Sequence, residues 1–237
     1  LCLCALAAEY QPPAGERAAV RRPGAESVLP GGRILSPAGA QFPSGPGPMG
    51  LALSPDGKTV VTLDGGAIRN SLTVLRRDGG VWRAQTLNIE SGSAGGGVDF
   101  SRSLFSGVVF ANGRDVYASD GLPGRVRLLD ARSGAVKQTY ELNAGGLAGS
   151  HAGELAFDAR RGWLFVLDQG NSRLVMIDTK RARIAATVPL EQPVALALSA
   201  DARRVYVTHR GESGHGAVAV VDVEHPAQPR IAGEART

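Results

Sequence analysis

His151 and Glu154 stand three residues apart in the segment His-Ala-Gly-Glu. An imidazole beside a carboxylate can move a proton or hold a divalent ion. Groups of the same chemistry recur along the chain: Asp64 and Asn70, Asp120, Asp168 and Asn171, and His209 and His215. Converging on one point, with Phe105 and Gln192 beside them, they could bind a divalent metal ion or a small polar ligand. No organic cofactor is indicated. Motifs that specify a hydrolase are absent: there is no His-Glu-x-x-His and no paired Cys-x-x-Cys, and Gly92-Ser93-Ala94-Gly95 misses the Gly-x-Ser-x-Gly spacing. Each candidate also has a structural reading. Asp168 and Asn171 are good turn formers, the two histidines flank the Gly-rich stretch 210–216, and His225 precedes Pro226 in a turn.

What positions these residues is a repeat. Met49 to Val61, Ser106 to Tyr117, Gly153 to Phe165 and Val194 to Tyr206 each read as an apolar strand, a turn of Asp, Asn, Gly or Arg, and a second apolar strand. Leu51, Val108, Leu155 and Leu196 share one slot. A third strand follows each time, ending at Arg76, Asp130, Asp178 or Asp222, and the last three are expected to fix the hairpin turn after them. A fourth strand closes each unit. Four strands at a period of about 40–50 residues predict an all-β fold, a β-propeller of four-stranded antiparallel blades. About four blades are expected, over 46–87, 105–142, 152–190 and 192–234, with 88–104 as a loop insertion and 32–42 as a lone outer strand. The register puts the candidate polar residues on one end of the channel, with His151 and Glu154 at its mouth.

The segment Pro48-Met-Gly-Leu-Ala-Leu-Ser-Pro-Asp-Gly-Lys58, with Asn70-Ser71, Asn171-Ser172 and Arg204-Val-Tyr-Val-Thr208, resembles the YVTN-type, or YncE-like and lactonase-like, β-propeller repeat. The resemblance spans residues 31–237. It implies a ring of about seven blades, of which this chain would be a truncated portion. The N-terminal pattern also resembles exported proteins that join such a propeller to a phosphoesterase domain. Fold alone does not assign chemistry.

Composition narrows the classes. Gly (32) and Pro (14) make up about a fifth of the chain, against a usual share of roughly 12 %, which excludes a helical bundle. The net charge is +4, carried almost wholly by scattered arginines, and aromatics are 5 %. That pattern lacks the clustered cations and stacking rings of a nucleic-acid binder. No apolar run is long enough to span a membrane. Residues 1–8 read as the end of an export signal and 9–30 as a disordered linker. The expectation is a periplasmic or extracellular, monomeric module. It would recognise a protein, a cell-envelope component or a small polar ligand at its channel face. The alternative is part of a lactonase-like or phosphoesterase-linked hydrolase.

Overall fold

A computed structural model of the chain describes residues 11–22, 24–65, 70–89, 106–210 and 216–236. They contain strands and turns only, and no helix among them is long and apolar enough to cross a membrane. The chain divides into two units, Leu1–Pro43 and Ser44–Thr237.

The first unit holds β1 (Ser27–Val28) and β2 (Ile34–Leu35), paired antiparallel. Val20 bridges the other edge of Val28. Of the stretch 32–42, expected to be a lone outer strand, Ile34 and Leu35 form β2, and they pair with Ser27 and Val28 of the stretch expected to be a disordered linker. Burial of Ser27, Val28 and Ala14 drives this local pairing, and Pro37 cuts β2 short by removing a ladder donor.

The second unit is a β-propeller arc of four blades, each a four-stranded antiparallel meander. Blade 1 comprises β3 (Pro48–Leu53), β4 (Thr59–Gly65), β5 (Asn70–Asp78) and β6 (Val81–Asn88). Blade 2 comprises β7 (Val108–Phe110), β8 (Asp115–Ser119), β9 (Arg125–Asp130) and β10 (Val136–Glu141). Blade 3 comprises β11 (Ala152–Asp158), β12 (Trp163–Asp168), β13 (Arg173–Asp178) and β14 (Arg183–Pro189). Blade 4 comprises β15 (Pro193–Leu198), β16 (Arg204–Arg210), β17 (Gly216–Asp222) and β18 (Arg230–Arg236). The loop insertion expected at 88–104 lies almost wholly outside the described residues.

Three apolar cores fill the spaces between successive blades. Along β12, Leu164 and Val166 pack towards blade 2, with Tyr117, Val126 and Leu142. Phe165 and Leu167 pack towards blade 4, with Val205, Val207 and Val221. A strand covered on both faces has no polar face, which is why β12 and β13 are apolar at nearly every position. β16 is covered on one face and alternates buried with exposed.

The turns between first and second strands repeat in detail. Ser54 Oγ donates to Asp56 Oδ1 (2.6 Å), which also accepts from Lys58 N (3.0 Å). Ser199, Asp201 and Arg203 do the same in blade 4, at 2.6 and 3.0 Å. Asp130, Asp178 and Asp222 accept backbone N–H bonds from Arg132, from Lys180 and Arg181, and from Glu224. They are turn anchors, as expected. Arg161 ties blade 3 to blade 4, donating to Asp158 and to the carbonyls of Ala202, Val223 and Glu224.

Candidate functional site

At the same end of the arc, Asp64, Asp120, Asp168 and His209 each stand within one residue of the end of their blade's second strand. The first strands begin there too, since Pro48 pairs with Asp64, Ala152 with Asp168 and Pro193 with His209. Each of these three first strands carries a β-bulge at that point, between Pro48 and Gly50, Ala152 and Leu155, and Pro193 and Ala195. A bulge takes a residue out of the ladder and re-aims it. Glu154 lies within the bulge of β11.

The three aspartates are fully buried and bonded to their own chain. Asp64 accepts from Thr62, Ser71 and Thr73 hydroxyls (2.8, 3.1 and 2.6 Å) and from Gly45 N (3.2 Å). Asp120 is held by Arg125 and by Arg127 Nε (2.7 Å). Asp168 accepts from Arg173 Nε (2.8 Å), Ser150 Oγ (2.9 Å), His151 N (2.9 Å) and Asn171 N (3.3 Å). Arg173 continues to the Leu142 carbonyl (2.8 Å) and so clamps blade 3 to blade 2. In blade 4 the slot holds His209, 7 % exposed. Its ring nitrogens have no hydrogen-bond partner among the described residues, and Nε2 lies 3.8 Å from Glu234 Oε2.

His151, Asp168 and Asn171 thus belong to one cluster, in which Asp168 orders the loop leading into β11. His151 is pinned through its backbone, donating to Asp168 and accepting from Gln169 N (2.9 Å). Its half-buried imidazole is shifted below its ordinary pKa by burial, against the pull of Asp168, so it is neutral at neutral pH. Glu154 is partly exposed on β11, just beyond His151. Asp64 and Asn70 belong to blade 1, Asp120 to blade 2 and His209 to blade 4. Among the described residues no three His, Cys, Asp or Glu side chains come together to hold a metal ion. Phe105 and His215 lie outside the described residues. Ser150, Gln169 and Arg173 escaped the sequence reading. Gln169 Nε2 reaches the Pro193 carbonyl of blade 4 (3.2 Å). The signal for the clamp was there, since Arg125 and Arg173 open equivalent third strands.

Burial pushes the Asp168 carboxyl up, but Arg173, His151 N–H and Ser150 outweigh it and hold the group below the carboxylate range. Arg114 holds Asp130 down to about 2, and Arg181 lowers Asp178. Asp120 runs the other way, raised by burial against Arg127 and Arg125. A carboxylate depressed in the folded state stabilises above its unfolded pKa, and that contribution is lost as pH falls through the folded value. His151, a depressed base, has the same sign, and its contribution begins to fall below about pH 6.5. The melting temperature is therefore expected to drop from about pH 6.5 downward, most steeply below the ordinary carboxylate range. Asp130→Asn should flatten the acid limb in a calorimetric pH series, and an unchanged limb would refute the assignment.

No protein-family model matches the chain, and no characterised protein matches it in sequence. Solved structures do match its fold. The periplasmic gluconolactonase PpgL of Pseudomonas aeruginosa shares 17 % identity over 90 % of this chain and 63 % of its own, at a TM-score of 0.61. A Lactobacillus plantarum protein shares 15 % over 87 % and 60 %, at 0.63. Apo AztD from Citrobacter koseri shares 16 % over 86 % and 52 %, at 0.55. The chain spans between about half and two thirds of these proteins, and at such identities the likeness is one of fold.

Proposed function

We propose that the chain is the portion of an exported β-propeller that binds a small polar ligand, a protein or a cell-envelope component at the end carrying His151 and Glu154. The observation that carries this reading is the division of labour at that end. The buried aspartates are occupied by internal bonds. Beside them stand a neutral imidazole on a fixed backbone, a carboxylate on a bulge and Asn171, whose amide is held by the Ala148 carbonyl and Ser150 Oγ. Such a set gives hydrogen bonds to a polar ligand. Export is supported by the apolar start of the chain and by the fold likeness to a protein described as periplasmic.

The alternative, a lactonase-like or phosphoesterase-linked hydrolase, draws on the fold likeness to a gluconolactonase. The full-length protein should be assayed with gluconolactone and with p-nitrophenyl phosphate, with and without divalent metal. Binding alone predicts no turnover above background. Metal-dependent turnover that falls 100-fold or more in His151→Ala or Glu154→Ala, with the fold intact, would overturn the non-catalytic reading. Turnover untouched by either variant would remove this site.

A further inference from the structure

The unit before the propeller carries a cavity of about 490 Å3, within the range of small-molecule sites. The unit's exposed large apolar side chains among the described residues are Val20, Leu29, Leu35 and Phe42, and all four line it. Convergence of every such side chain on one hollow is not the scatter of ordinary surface residues. Arg21 and Arg22 line it as well. Neither guanidinium has a partner among the described residues, whereas Arg17 is paired with Glu26 at 2.7 Å. Residues 11–43 contain Arg17, Arg21, Arg22 and Arg33 against Glu16 and Glu26, an excess of positive charge.

We propose that this cavity binds a medium-chain carboxylate amphiphile, with the alkyl chain against the apolar walls and the carboxylate at Arg21 and Arg22. Guanidinium geometry suits a carboxylate, and the walls reward each methylene removed from water. An added peptide strand is a poorer occupant, because Val20 and β2 already take both edges of Val28 in β1.

Isothermal titration of the 237-residue chain with decanoate, undecanoate and dodecanoate, below micelle formation, tests this. Affinity should rise about fourfold per methylene. Arg21→Gln with Arg22→Gln should weaken dodecanoate by about threefold or more, and Phe42→Ala by about tenfold, while Phe42→Leu restores most of the loss with an unchanged circular dichroism spectrum. Dodecyl maltoside, with a neutral head, should bind more weakly. The proposal fails if dodecanoate gives no heat, if affinity ignores chain length or head charge, or if Phe42→Ala binds like the parent. It also fails if uptake requires removal of residues 1–8, because the chain's own apolar start would then be the occupant.

Discussion

Asp168→Ala is expected to destabilise the propeller by about 3–5 kcal/mol. The carboxylate is fully buried, and Arg173 beside it has a side chain only 11 % exposed. Removing the acid leaves a buried guanidinium with the Leu142 carbonyl but no counter-charge. It also strips an acceptor from Ser150 Oγ and from the amides of His151 and Asn171. Asp64→Ala is the control, since that carboxylate serves three hydroxyls and one amide, with no cation bonded to it among the described residues. Unsatisfied neutral donors cost about 1–3 kcal/mol. Urea denaturation followed by tryptophan fluorescence and circular dichroism measures both, and the buried-ion account is wrong if Asp168→Ala costs no more than Asp64→Ala. Hydrogen exchange adds a local readout: the His151 amide should lose protection in Asp168→Ala and keep it in Asp64→Ala.

Why the fold was readable and the site was not follows from what each depends on. Blade architecture is written in short-range pattern. The Ser-x-Asp turns at Ser54 and Ser199, the shared slot of Leu51 and Leu196, and the unbroken apolar runs of β12 and β13 are local facts repeated at a fixed period. The roles of Asp64, Asp120 and Asp168 depend on what stands across the ladder and on the preceding blade. A repeated aspartate reads equally as a ligand or as an anchor. Arginine at the start of β9 and β13 decides for an anchor, because in the structure those guanidiniums close on Asp120 and Asp168. In blade 4 the pair is His209 opposite Ala217, and among the described residues no such clamp forms there.

A second large effect is expected at Gly107, where the requirement is space and not backbone freedom, since its φ is not left-handed. Gly50 and Gly107 hold the same position before Leu51 and Val108. A Cβ on Gly50 would run into the Ser106 carbonyl of the next blade. One on Gly107 would run into the Gly153 carbonyl, and would stand 2.8 Å from Leu155 Cγ and 3.0 Å from Ser119 Oγ. The first strands of neighbouring blades therefore approach backbone to backbone, and a carbonyl in a ladder cannot swing aside as a side chain can. Gly107→Val should cost about 3 kcal/mol, the upper part of the usual range for overpacking. It should also disturb the Ser119 Oγ bond to Gly107 N (3.0 Å) and the register of the β11 bulge that carries Glu154. Gly113, in an open turn with nothing near its would-be Cβ, is the matched control, and Gly113→Val should be far milder. Equal melting shifts for the two variants would mean that the blades have slack at the channel, and that the position of Glu154 is not set by close contact between first strands.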